Sequence, residues 1–361
     1  MVKSTYVHIP FCKSKCHYCS FVSFCSVEKK QESLKSLHEE ISYYYENEPQ
    51  NTLYLGGGTP SLLTVSEVEE IVSRFSFCKN PEITMELNPE DVDYDYLKGL
   101  FDIGVNRLSF GCQTFDDEIL KTINRRHDSA RVIKVVEQAK SAGFENLSLD
   151  FIYGLPNQTI ESFASDLERA VGLGVPHISL YGLKLEEGSY FYKNPPQNLP
   201  DDDTQADMYL KAAEVLQNLG FEQYEVSNFS KKGMHSRHNL NYWNNEEYYG
   251  FGAAAHGYKN GERYENSTNL DDYIKNPCEK KSSHVLTPQE KLEEEIFLGF
   301  RRMSGIDVSQ VNKKFGIDFE ADYKKVLETY LGLKLLAKTT DGYKLTLQGV
   351  LVSNVVLADF L

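Results

Sequence analysis

Six short runs rich in β-branched and aromatic residues, each followed by a stretch of helical hydrophobic period, fill the first two-thirds of the 361-residue chain. The runs are Tyr6–Ile9, Thr52–Leu55, Ile83–Leu87, Arg107–Cys112, Leu147–Ile152 and His177–Leu183. The amphipathic stretches are Glu28–Tyr45, Val65–Phe75, Asp93–Phe101, Ala130–Ala142, Ile160–Val171 and Thr204–Leu219. Strand–helix alternation of this kind demands βαβ units and a parallel sheet. Two closures satisfy it, a partial or complete barrel and an open doubly wound sheet. Unusual residues collect where the strands end: Gly56-Gly57-Gly58, Glu86-Leu87-Asn88-Pro89, Gly111-Cys112-Gln113, and Asp150 within the fifth run. The C-terminal strand ends are where a barrel builds its active site, so one large common site is expected there.

The texture changes after about residue 225. Asn228–Gly261 is rich in Asn, Tyr, Gly and His and has little periodicity, which suggests a connecting segment over 226–286 between a first domain, 1–225, and a last one, 287–361. The last domain reads as helices over Pro288–Met303, Val308–Phe315 and Phe319–Leu331, then a hairpin turning at Asp341-Gly342 between Lys334–Lys338 and Tyr343–Leu347, then a helix over about Gly349–Phe360. Helices with a hairpin suggest a winged helix, but acidic and basic residues balance there, so a packing or partner role is expected rather than DNA binding. The whole chain has 38 Lys+Arg against 53 Asp+Glu, a net charge of −15, which repels phosphate backbones and excludes general nucleic-acid binding. No apolar run approaches the ~18 residues of a membrane helix, and MVKSTYVHIPFC lacks a secretory apolar region, so a reducing cytoplasm is the expected location.

Three of the seven cysteines crowd into the loop after the first strand, Cys12, Cys16 and Cys19 in a C-x3-C-x2-C pattern. Three thiolates from one loop suit three irons of a cubane cluster with the fourth iron left open. Zinc completed by His17 or His8, or a redox pair of Cys16 and Cys19, are the alternatives on spacing alone. Cys25, Cys78, Cys112 and Cys278 stand apart and read as small buried hydrophobes. Leu53-Tyr54-Leu55 leads into Gly56-Gly57-Gly58-Thr59-Pro60, a strand and glycine turn that admits a ligand close to the backbone but lacks the Lys-Ser/Thr of a phosphate loop.

The run from Tyr6-Val7-His8-Ile9-Pro10-Phe11-Cys12 to Cys19 resembles the radical S-adenosylmethionine (SAM) superfamily, and within it the oxygen-independent coproporphyrinogen III oxidase group. The resemblance extends over nearly the whole chain, including Leu351-Val352-Ser353-Asn354. It implies a partial (β/α)6 TIM-like barrel with a small, mainly helical, winged-helix-like C-terminal domain. It further implies a 4Fe–4S cluster on Cys12, Cys16 and Cys19, whose open iron chelates SAM and whose electron splits SAM to a 5′-deoxyadenosyl radical. The same resemblance assigns Tyr6, Tyr18, Gly57, Gly58, Thr59, Glu86, Gln113, Arg125 and Asp150 to the SAM pocket. An arginine there can pair with the SAM carboxylate, and a carboxylate can take the ribose hydroxyls.

Two branches of that group differ at one position. The oxidases carry a fourth cysteine two residues after the third, and this chain has Phe21 there. The haem-chaperone branch lacks it and carries a His-Asn-x-x-Tyr-Trp motif, here His238-Asn239-Leu240-Asn241-Tyr242-Trp243 after Ser236-Arg237. The resemblance therefore implies a haem-binding chaperone using His238, Tyr242 and Trp243. It would deliver haem to acceptor haemoproteins, respiratory membrane proteins among them, with peripheral contact at the inner membrane face. Histidine can ligate iron, the aromatics offer flat apolar faces, and Arg237 could pair with a propionate. His8, His235 and His256 read first as hydrogen-bonded structural histidines. The alternative is an oxidase that decarboxylates coproporphyrinogen III to protoporphyrinogen IX.

Overall fold

The structure, a computed structural model, describes residues 2–361. Its centre is a parallel sheet of β1 (Ser4–Ile9), β2 (Gln50–Gly57), β3 (Phe77–Leu87), β4 (Arg107–Gln113), β5 (Asn146–Tyr153) and β6 (His177–Gly182), paired in chain order. Between them run α1 (Lys30–Tyr44), α2 (Val65–Val72), α3 (Tyr94–Asp102), α4 (Asp117–Thr122), α5 (Ser129–Ala142) and α6 (Ile160–Gly172). A short α7 (Tyr190–Lys193) and the long α8 (Asp202–Asn218) follow β6. Covering helices bury the outer, apolar face of the strands, and the inward face is closed off as well. In β4, six of the seven residues are buried accordingly. Start signals are local: Thr64 and Glu67 form a capping box at α2, and Asp128 caps α5. The six-strand sheet with helices outside is the partial TIM-like barrel that the family resemblance implies, and not the open doubly wound sheet that the alternation also allows.

Residues beyond 220 join that sheet. β8 (Asn228–Ser230) adds antiparallel to β6, β7 (Glu222–Glu225) pairs antiparallel with β8 at the outer edge, and β9 (Tyr249–Phe251) adds parallel to β1 at the opposite edge. Between β8 and β9 lies α9 (Arg237–Trp243), and a second small sheet of β10 (His256–Lys259), β11 (Glu262–Glu265) and β12 (Ser282–Val285) follows, interrupted by α10 (Leu270–Lys275). Tyr249, Phe251, Leu270 and Tyr273 pack into the barrel core itself. The buried Glu40 of α1 fastens this region: it accepts from Gly252 N at 2.9 Å, Asn266 Nδ2, Tyr273 Oη and Lys280 Nζ at 2.7 Å each. The stretch expected as an aperiodic connector thus supplies β8 and the edge strand β9 of the main sheet, while the other edge strand, β7, lies just before it. Its strands are three or four residues long, too short for a period to register.

The C-terminal part has its own core around Ile296, Phe300, Phe319, Val356 and Phe360. It comprises α11 (Pro288–Gly299), β13 (Ile306–Asp307), α12 (Val308–Phe315), α13 (Phe319–Asp322), α14 (Lys324–Gly332), β14 (Leu336–Lys338), β15 (Gly342–Leu345), α15 (Leu347–Leu351) and α16 (Ser353–Ala358), with β13–β15–β14 as an antiparallel sheet. Two helices expected as continuous are each broken, at Tyr323 and Val352, where the backbone leaves helical geometry. Among the described residues no helix is long and apolar enough to cross a membrane.

Candidate functional site

The loop after β1 is closed on itself. Cys12 N donates to Phe24 O at 3.0 Å and Phe24 N to Pro10 O at 2.7 Å, so residues 12–24 form a tied loop at the C-terminal end of the barrel. Cys12, Cys16 and Cys19 lie on it, unpaired and half-buried. Burial pushes the Cys12 and Cys19 thiols above their ordinary range, a cost that coordination to a metal removes by deprotonating them. Among the described residues no three His, Cys, Asp or Glu side chains are gathered to hold one metal ion. Of the two histidines in the zinc alternative, only His17 keeps a ring nitrogen uncommitted. His8 spends both ring nitrogens on Tyr6 Oη at 2.9 Å and Val22 O at 3.2 Å, and His17 spends Nδ1 on Thr122 O at 2.9 Å while stacking on Tyr190. Of the four other cysteines only Cys112 is buried; Cys25 is exposed, and Cys78 and Cys278 are half-buried, so the reading of small buried hydrophobes holds for Cys112 alone.

Beside the loop, the glycine turn after β2 is fitted against it. Gly57 has φ +108°, and a Cβ there would stand 2.5 Å from the His8 ring; one on Gly58 would stand 2.8 Å from Phe11 O. Only glycine satisfies both. Thr59 Oγ1 donates to Cys12 Sγ at 3.3 Å and accepts from Asn88 Nδ2 at 3.1 Å. Asn88 Oδ1 accepts from Arg125 at 2.9 Å, and Arg125 reaches Cys16 Sγ at 3.5 Å. One hydrogen-bond chain, Cys12–Thr59–Asn88–Arg125–Cys16, therefore joins two thiols through the ends of β2 and β3 and the turn after α4. Asn88, quoted in the sequence only as part of a motif, is its central link. Arg125 Nε is buried without a partner, a donor held ready for an anion.

Glu86 and Asp150 lie in the same mouth. Tyr54 Oη donates to Glu86 Oε1 at 2.7 Å and Gly57 N to Oε2 at 3.2 Å. Burial, helped by the nearby Asp150 charge, raises Glu86 to about 7. Asp150 takes the Ser109 hydroxyl on both oxygens at 3.0 Å, and burial raises it too. Gln113 adopts φ +70° at a register shift in the β4–β5 ladder, and a Cβ on Gly111 would meet Gln113 Nε2 at 2.9 Å and Arg125 at 3.2 Å. A strained backbone at a bulge aims a side chain into the mouth, a common device at ligand sites. Tyr6 holds His8, and Tyr18 packs with the cluster around Ile119 and Phe191. The mouth thus collects three thiols, an arginine and two carboxylates, a donor set suited to a cluster and a zwitterionic ligand.

The His238–Trp243 motif is elsewhere. It forms α9, capped by Ser236, at the N-terminal ends of β2 and β3. His238 is buried, Nδ1 paired with Thr52 Oγ1 and Nε2 with Tyr242 Oη, both at 2.8 Å, and its ring stacks on Tyr54 at 5.0 Å. Both nitrogens are thus committed, and burial, with Arg107 nearby, lowers the ring to about 3. Arg237 is bound to Asn80 O at 2.9 Å and Glu82, away from any open site. Tyr242 and Trp243 instead face a groove of about 640 Å³ shared with α11, where Phe297 and Leu298 form the other wall. Arg301 stacks behind Phe297 at 4.9 Å and Trp243 at 5.7 Å, holding the two aromatic walls together.

Known proteins share this chain's sequence pattern and fold. The radical SAM superfamily profile matches residues 6–170, and that of the HemN C-terminal domain matches 286–352. "Heme chaperone HemW" of Lactococcus lactis is 39% identical over 99% of this chain and 97% of that protein, and the Bacillus subtilis protein of the same name is 37% identical over 100% and 99%. In fold, the chain superposes on the radical SAM enzyme coproporphyrinogen III oxidase (HemN) of Escherichia coli with a TM-score of 0.87, covering 99% of this chain and 90% of that one at 22% identity.

Proposed function

The chain belongs to the HemW family of radical SAM proteins, and from that membership we propose that it is a haem chaperone, a cluster- and SAM-binding protein that takes up haem and passes it to acceptor haemoproteins. Radical SAM membership implies a 4Fe–4S cluster and SAM, and the mouth fits both. Cys12, Cys16 and Cys19 would hold three irons; when bound, the cluster supplies the electron for reductive cleavage of SAM. Arg125, with its buried unpartnered Nε, would take the SAM carboxylate. Glu86 and Asp150 would accept from the ribose hydroxyls, and the Gly57–Gly58 turn leaves room for the amino group. Haem acceptors would include respiratory membrane proteins, reached by peripheral contact at the cytoplasmic membrane face.

The observation that carries the chaperone over the oxidase is Phe21, exposed on the tied loop where the oxidase pattern has a fourth cysteine. The test is an anaerobic assay of the reconstituted protein with SAM, reductant and coproporphyrinogen III, run beside a haem titration. Haem binding without protoporphyrinogen formation is expected; clear protoporphyrinogen formation would overturn the proposal. Replacing Cys12, Cys16 and Cys19 together by alanine is expected to abolish the cluster absorbance.

A further inference from the structure

Helix α11 carries two stripes. Leu292 and Ile296 are buried in the core of the C-terminal part. Glu290, Glu293, Glu294, Phe297 and Leu298, at i, i+3, i+4, i+7 and i+8, form the second stripe and line the groove of about 640 Å³ shared with α9. This stripe is divided, with three carboxylates in its first half and two apolar side chains in its second. From 290 to 298 it runs about 12 Å, the length of about four extended residues. Trp243 and Tyr248 add aromatic wall, and Glu246 adds a fourth carboxylate.

Part of this acidity is used inside the fold. Glu290 closes the capping box of α11 and holds His284 at 2.8 Å, and Glu294 takes the Arg263 fork at 2.8 and 3.1 Å. Glu293 meets only the neutral amide of Gln289 at 2.8 Å, and the exposed Glu246 carboxylate meets no donor among the described residues. Arg301 does not answer them, since it lies behind Phe297 and Trp243 with Glu225 as its neighbouring charge. A fitting ligand is therefore cationic at one end and apolar at the other, and the chain's net charge of −15 favours its approach. We propose that the groove docks a basic, apolar segment of a protein partner. Its arginine or lysine side chains pair with Glu246 and Glu293, arginine better because its fork matches a carboxylate, and a large apolar side chain fills the space between Trp243 and Phe297. A small polycation would meet the carboxylates and leave the apolar half empty, so the occupant is a peptide segment. This gives the C-terminal part a partner role and goes beyond the haem-chaperone reading, on which it does not rest.

Trp243 is the chain's single tryptophan, so its fluorescence reports this groove. The experiment titrates the full-length protein with a short end-blocked peptide of arginines and leucines, with the same peptide carrying glutamate for arginine, and with spermine. The arginine–leucine peptide should change the Trp243 emission saturably and bind more weakly as salt is raised. Glu246→Gln combined with Glu293→Gln should weaken it about tenfold, while the urea midpoint stays that of wild type because neither carboxylate has a cationic partner to lose. Glu246→Lys combined with Glu293→Lys should reverse the choice and take the glutamate peptide. Absence of saturable binding, equal binding of the two peptides, or an affinity unmoved by the double glutamine variant would overturn the proposal. Spermine binding as tightly as the arginine–leucine peptide would overturn it too, by making this a site for small cations. Each of these failures leaves the haem titration, and with it the chaperone reading, untouched.

Discussion

His238 is neutral in the fold because burial, reinforced by the Arg107 charge, lowers its ring to about 3, whereas in the unfolded chain it titrates at its ordinary 6.5. Above pH 6.5 neither state binds the proton and the full contribution of the ring to stability is present. Between 6.5 and about 3 the unfolded chain takes up a proton that the fold refuses, so this contribution falls as pH falls, by about 1.4 kcal/mol per pH unit. Moving from about pH 7.5 to about pH 5 therefore costs about 2 kcal/mol from this residue alone. Other groups titrate in the same window. His8, lowered by burial to about 4, and His177 act in the same sense; Glu86 and Glu225, each raised by burial to about 7, act in the opposite one. They occur equally in wild type and in His238→Gln, so the difference between the two proteins isolates the imidazole. At pH 7.5 the variant should be less stable by about 1–3 kcal/mol, through its broken hydrogen bonds to Thr52 and Tyr242. Urea unfolding at both pH values should show that gap shrink by about 2 kcal/mol at pH 5. A gap constant to within a few tenths would mean that the ring titrates freely, and the buried pairing with Tyr242 would be wrong.

Gly57→Ala forces a Cβ to 2.5 Å from the His8 ring at φ +108°; SAM affinity of the reconstituted protein, measured by anaerobic calorimetry, should fall at least about tenfold. Glu40→Ala leaves four donors of Gly252, Asn266, Tyr273 and Lys280 without their acceptor, a loss of about 3–5 kcal/mol in urea unfolding. Tyr54→Phe removes the hydroxyl that favours ionised Glu86, so the carboxyl should titrate still higher than about 7, and the pH midpoint for SAM binding should rise with it.

The barrel was readable because short β-rich runs alternate with amphipathic stretches, and five of the six expected helices between and after the strands end within two residues of the observed bounds, α2 alone stopping three short. The edges were not readable. Tyr249-Gly250-Phe251 is buried at every position, so it has neither alternation nor length to mark it as a strand, and only the register against Thr5–Val7 of β1 makes it one. Most of the mouth residues were legible singly, since Gly57, Glu86 and Gln113 stand at strand ends. Their wiring was not, because the Thr59–Asn88–Arg125 links connect separate elements. The motif on α9 was visible, but its histidine's task was hidden: Thr52, far away in sequence, takes one nitrogen. The other partner left a trace, since His238 and Tyr242 are four residues apart, the spacing that places side chains on one helix face.

That wiring also relates the two ends of the barrel. Glu86 in the mouth accepts from Tyr54, whose ring stacks on His238; His238 holds Tyr242, and Tyr242 packs against Tyr248 at the groove. Each contact is a hydrogen bond at 2.7–2.8 Å or a ring pair at 5.0 Å or less, so the column is continuous from the strand C-termini through the barrel interior to the far side. A ligand that draws Glu86 away from Tyr54 frees the one hydrogen bond that anchors the Tyr54 hydroxyl, and the ring under His238 is then held by stacking alone. The fold thus places the proposed SAM pocket and the aromatic groove at opposite ends of one barrel and separates them by only three side chains, Tyr54, His238 and Tyr242, none of which can shift without disturbing the next.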